Sequence, residues 1–147
     1  LRLPSEHEMK KLSISLAEME KNFLTSGDTA SAQKIAEMGI DMARRWGDEK
    51  SSPFIISQLV GKAMERIILK ELNPDTVHDF LGGTPQQRIQ ELINQKDEAV
   101  GLSTFLEQTF PSLSESEKLI YWNRVQNQGD LNALRWLKNN YGSTDTK

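Results

Sequence analysis

The sequence predicts an all-α protein, an array or bundle of about six to seven antiparallel helices with helical-hairpin packing. Three observations predict it. Apolar residues recur at spacings of three and four through nearly every segment. The breaks between segments carry capping boxes, Gly-Asp junctions and prolines, the punctuation of helix ends. No stretch alternates apolar and polar residues convincingly enough for a strand.

The first helix opens at Ser5, which forms a capping box with Glu8, and carries the stripe Met9, Leu12, Leu16, Met19 and Phe23. Gly27 supplies its left-handed stop, and Asp28 caps the next helix at once. That helix is expected over Thr29 to Trp46, with Ala32, Ile35, Ala36, Met38, Gly39 and Met42 along it. So short a connection makes the two helices antiparallel.

The third helix is "PFIISQLVGKAMERIILKEL", entered through Ser51-Ser52-Pro53 and stopped by Asn73-Pro74. On a helical wheel Leu59, Ala63, Ile56, Ile67, Val60 and Met64 fill one broad face, while Phe54, Leu69 and Leu72 sit apart, near Gln58 and Glu65. Burial of Leu59, Ala63 and Ile67 is therefore expected, with Lys62 and Arg66 reaching solvent. A short helical turn is expected over Asp75 to Leu81, closed by Gly82-Gly83.

Thr84-Pro85 restarts the chain with a capping threonine and a proline at the first helical position. Helical spacing then runs to Pro111, with Gly101 as a point of bending or breaking. Ser114 and Glu117 form a second capping box, opening a helix with Leu119, Ile120, Trp122 and Val125. Gly129-Asp130 repeats the earlier Gly-Asp junction before a last helix on Leu131, Leu134, Leu137 and Tyr141. The expected organisation is one domain, 1–147, with N-terminal hairpins over 5–81, C-terminal helices over 84–142 and a frayed tail at 143–147.

Composition bounds the function. Of 147 residues, 27% are charged and 37% apolar, proportions of a soluble globular domain. Net charge is −3 with both signs interleaved, which argues against the concentrated basic footprint that nucleic acid requires. Without cysteine, a disulfide framework, a zinc–thiolate site and a thiol nucleophile are excluded. No window reaches the ~18 uninterrupted apolar residues that a membrane-spanning helix needs. The chain begins Leu1-Arg2-Leu3-Pro4, so a processed or trimmed N-terminus is expected, with a lean toward an exported or periplasmic protein.

Two resemblances follow from these residues. Leu16, Met19 and Leu24, the Gly27-Asp28 turn, and the small residues Ala32, Ala36 and Gly39 together resemble a tetratricopeptide-type helical hairpin. Glu20 departs from that pattern where a small residue is expected, and Arg44 stands where the closing proline would be. The run "ISQLVGKAMERIILKEL" after "RRWGDEKSSPF" also resembles a segment of uncharacterised helical proteins from planctomycete and verrucomicrobial bacteria, over about residues 25 to 75. This second resemblance implies a cell-envelope location and carries no catalytic motif.

Candidate chemistry is sparse. Asp75, His78 and Asp79 share a helical face and could supply half a metal site, but a solvated, capped helical turn is by far the commoner reason for such a trio. His7-Glu8 lacks the second histidine of a zinc-protease helix. Glu18 with Glu20, and Glu115 with Glu117, diverge because residues two apart on a helix do not face each other, and solvated helix faces are the expected place for all four. No catalytic residue, cofactor site or metal site is assigned. The aromatics lead further: Tyr121, Trp122, Trp136 and Tyr141, with Arg124 and Arg135, crowd the last two helices and could line a groove for a peptide. Core packing is the competing account of the same residues.

The expected function is a non-catalytic protein-interaction or scaffold module with a protein partner or a second copy of itself. The alternative is a helical small-molecule-binding or sensory domain. An enzyme without a recognisable motif stands third.

Overall fold

A computed structural model describes residues 5–48 and 55–142. Its described elements are α1 (Glu6–Thr25), α2 (Thr29–Trp46), α3 (Ile55–Leu69), α4 (Pro85–Thr109), a 3-10 turn at Phe110–Ser112, α5 (Glu115–Gln128) and α6 (Asp130–Tyr141). The all-α prediction holds. No described helix is long and apolar enough to cross a membrane. The tail predicted to fray, and Ser51, Ser52, Pro53 and Phe54 at the predicted entrance to α3, lie outside the described residues.

Local chemistry sets the helix ends. Ser5 Oγ accepts from the Glu8 N–H at 3.1 Å while Glu8 accepts from the Ser5 N–H at 3.2 Å, so the first capping box is formed. Thr84 with Gln87, and Ser114 with Glu117, form the same reciprocal pair. After α1, Gly27 takes φ +84°. The Gly27 N–H then donates to the Leu24 carbonyl and the Asp28 N–H to that of Phe23, the double closure of a Schellman end. Asp28 accepts from the Ser31 N–H, opening α2 as expected.

α1, α2 and α3 pack against one another as a three-helix unit, α4 crosses from α3 to α6, and α5 and α6 form a hairpin. Small residues allow the close packing of the first unit. A Cβ on Gly39 would sit 2.6 Å from Ile68 Cδ1 and 3.3 Å from Leu16 Cδ1, and Ala32 and Ala36 are fully buried beside it. Where α2 ends on α3, a Cβ on Gly61 would lie 2.7 Å from Gly47 Cα and 2.8 Å from the Ala43 carbonyl. A middle core joins Ala36, Ile40, Ile68, Leu69, Leu72 and Leu92, linking α2 and α3 to α4. A separate core under the C-terminal hairpin contains Leu102, Leu113, Tyr121, Leu131, Leu134 and Leu137.

Several expectations are corrected. Residues 75–81 form turns, not helix, closed by a bridge between His78 and Gly83; the Asp75 N–H donates to Asn73 Oδ1. α4 runs through Gly101 unbroken. α3 ends at Leu69, ahead of Asn73-Pro74. Its orientation is also rotated from the wheel reading: Leu59, Ala63 and Ile67 are half-buried, whereas Gln58, Gly61, Met64, Glu65, Ile68, Leu69 and Leu72 are buried. Lys62 and Arg66 are half-buried and reach solvent in part. The physical reason is the Gly47–Gly61 approach together with paired arginines that make Glu65 acceptable inside. α1 is turned similarly, burying Ser13, Ala17 and Glu20 while Leu12 and Met19 from its apolar stripe stay exposed.

The two Gly-Asp junctions also differ. Asp28 caps its own helix, but Asp130 lies inside α6 and its Oδ2 accepts from the Ile55 N–H at 3.1 Å, capping α3 across the fold. Replacing Asp130 with alanine leaves that N–H without its partner. The expected loss is about 1–2 kcal/mol by urea unfolding, against a much smaller loss for Asp130→Asn.

Candidate functional site

The six aromatic and arginine residues singled out above fall into three places, not one groove. Trp122 lies on the outer side of α5, half exposed at 51%. Its ring meets Tyr121 edge-on at 5.5 Å and Phe110 at 6.0 Å, and Phe110 meets Tyr121 at 5.9 Å. Tyr121 itself is buried in the C-terminal core. Burial first, and the charge of Asp130 second, push its hydroxyl pKa up to about 12. Trp136, Tyr141 and Arg124 form a second group: the Arg124 guanidinium stacks 4.7 Å over the Trp136 ring, and Trp136 meets Tyr141 edge-on at 6.1 Å. Arg135 stands apart, paired with Glu98 of α4 at 3.0 Å.

The second group is a structural tie. The Tyr141 hydroxyl donates to Glu117 Oε2 at 2.6 Å, joining the end of α6 to the first turn of α5. That bond, with the Ser114 cap, lowers the Glu117 pKa, and it raises the pKa of Tyr141. Arg124 and Trp136 are thus committed to holding the hairpin together, with the arginine stacking on the ring as a cation–π pair.

Of the four aromatics, Trp122 is the exposed one, on the outer side of α5. Leu119 is 65% exposed and lies one turn from Trp122, which packs on the half-buried Phe110; Ile120, 46% exposed, lies on the other flank of the helix. The 3-10 turn carries Phe110 to this side, and the Ser114 capping box sets the direction of α5 after it. Lys118 lies 5.4 Å from the Phe110 ring centre, bordering the patch. The sequence places Leu119 and Ile120 on the helix after Ser114 without telling which side faces out; what exposes them is that α5 packs on α6 and fully buries only Tyr121.

No family model, curated protein or solved structure matches this chain. The chemistry therefore rests on the geometry alone.

Two buried carboxylates lie elsewhere. Glu65 of α3 is clamped by two guanidiniums: Arg88 Nε and Nη2 at 2.5 and 3.1 Å, and Arg44 Nε and Nη2 both at 3.3 Å. The bonds to Glu65 raise the Arg88 pKa above its ordinary value. An open cleft of about 350 Å³ beside this cluster is bordered by Arg44, Lys62 and Arg88. It is polar and exposed, unlike the enclosed apolar pocket typical of small-molecule sites. Glu20 of α1 is fully buried, and neither of its oxygens has a hydrogen-bond partner among the described residues.

The Asp75, His78 and Asp79 trio supplies no metal centre. Asp75 and Asp79 are exposed, the His78 ring packs 5.3 Å from that of Phe80, and no metal-holding group of three or more such side chains exists among the described residues.

Proposed function

We propose that the protein is a non-catalytic interaction module that engages a protein partner through the outer side of α5. The observation that carries this reading is the exposed pair Leu119 and Trp122, three residues apart and so neighbours on α5, with Trp122 packed on the half-buried Phe110. Exposed apolar side chains gathered on one helix mark interaction surfaces more often than scattered ones do. Trp122 suits the role of an anchor. Edge contacts with Phe110 and Tyr121 hold its ring in place, so little side-chain freedom is lost when a partner covers it.

The test compares the wild-type protein with the double variant Leu119→Ser, Trp122→Ala. Circular dichroism and thermal melting establish that both are folded. Sedimentation equilibrium then measures self-association, and cross-linking in native extract measures capture of partners. A complex formed by the wild type should weaken roughly 30-fold in the variant, since a central tryptophan contributes 2 kcal/mol or more to an interface. Identical behaviour of the two proteins in both measurements would overturn the reading.

A further inference from the structure

We propose that Glu20 is a proton-controlled latch on α1: its neutral carboxyl lets α1 close on α2 and α3, and its ionised form drives α1 off that pair. The geometry places it where the three helices meet. One turn earlier on α1, Leu16 points with Ile68 of α3 at the space above Gly39 of α2. Glu20 lies one turn further along the same side of α1, at 0% exposure and with both oxygens unpartnered among the described residues.

Among the described residues, the buried faces packed on α1 offer an ionised Glu20 no free cation. The buried face of α2 is Ala32, Ala36, Gly39, Ile40 and Ala43, with no titratable group. The buried face of α3 contributes Glu65, already clamped by Arg44 and Arg88. The turn beyond α3 adds Glu71, a like charge. A buried carboxylate without donors or a cation is strongly disfavoured, so the group holds its proton instead. Burial first and Glu71 second push its pKa up to about 8.

The direction of the pH effect follows. The folded protein binds a proton that the unfolded chain releases at an ordinary carboxylate value of 4.5. The stabilising contribution is therefore complete below about pH 4.5 and is lost as pH rises through about 8. The latch is closed in mild acid and opens in mild alkali, the reverse of what an ion-paired carboxylate does.

The experiment measures urea unfolding and amide hydrogen exchange across this window for the wild type, Glu20→Gln and Glu20→Met. The wild-type folding equilibrium constant should fall roughly 50-fold between about pH 6 and 8 and flatten above. Both neutral variants should remove that fall. Exchange in α1, corrected for intrinsic rate, should accelerate with pH while α5 and α6 keep their protection. A carbon-13 titration of the Glu20 carboxyl should give a midpoint near the high value, moving down in Glu71→Gln. The proposal is overturned if Glu20 titrates as an ordinary carboxylate, or if the neutral variants keep the wild-type pH dependence. Equal loss of protection in α1 and α6 would likewise overturn it. Should Glu20→Gln fail to fold because its amide is unpartnered, Glu20→Met and the carboxyl titration decide the matter.

Discussion

Replacing Gly61 with alanine should destabilise the protein by about 3 kcal/mol, toward the upper end of what overpacking a core usually costs. The new methyl carbon would sit 2.7 Å from Gly47 Cα, 2.8 Å from the Ala43 carbonyl oxygen and 2.9 Å from the Gly47 nitrogen. All three are backbone atoms, so no side chain can rotate away to make room. Relief requires α2 and α3 to separate, which loosens the Ala43–Met64 contact region and the arginine clamp on Glu65 together. Urea unfolding measures the loss. Gly101→Ala provides the opposing control: it lies within α4 with nothing within 4 Å of an added Cβ. That exchange should stabilise by about 0.5–1 kcal/mol, because alanine favours helix over glycine. Equal effects at the two glycines would show that the close approach of α2 to α3 does not govern stability.

Removing Glu65 should cost about 3–5 kcal/mol, the range for breaking a buried ion pair from one side. Its side chain is 3% exposed, and two guanidiniums depend on it. In Glu65→Ala, Arg44 and Arg88 face one another with no carboxylate between them. The arginines should not contribute equally. Arg88 is 19% exposed and makes the shorter bonds, whereas Arg44 is 40% exposed and can recover much of its hydration. Arg88→Ala should therefore destabilise by about 3 kcal/mol and Arg44→Ala by about 1 kcal/mol. Denaturant titration of the three single variants and the Glu65–Arg88 double variant tests the ranking. A double variant no worse than Glu65→Ala alone would show that the two act as one unit.

The positions of these residues explain how far the sequence could be read. Helix ends were legible because their chemistry is local. Ser5 with Glu8, Asp28 with Ser31, and Ser114 with Glu117 each bond within three residues, and α2 has its predicted bounds of Thr29 and Trp46. The buried face of α3 was not legible, because the wheel weighed apolar content alone. The wheel sets Leu69 and Leu72 apart with Gln58 and Glu65, and that polar-marked side is the buried one. Only the arginines 21 residues before and 23 residues after Glu65 make its burial tolerable. Glu20 left a trace in the sequence as the large acidic residue where a helical hairpin wants a small one. Read as a departure from a pattern, it is instead the buried group on which α1 closes.

The candidate surface divides in the same way. The sequence pointed to the last two helices and to Trp122, since aromatics gather there. It could not separate Trp122, which faces outward, from Trp136, which lies under Arg124, because both occupy helices of mixed character. Nor could it assign Asp130 to α3, since the bond to the Ile55 N–H spans 75 residues.

By itself, then, the sequence determined the helical class, the capped starts of α1, α2, α4 and α5 and the left-handed stop after α1, all through interactions within about one turn of chain. Tertiary structure decided which side of each helix is inside, which charges are buried and which aromatics face solvent. The reason is physical: a helix with apolar residues on more than one side has several acceptable orientations. The choice among them falls to contacts made at long range, here the Gly47–Gly61 approach, the Arg44–Glu65–Arg88 clamp and the Asp130 cap on α3.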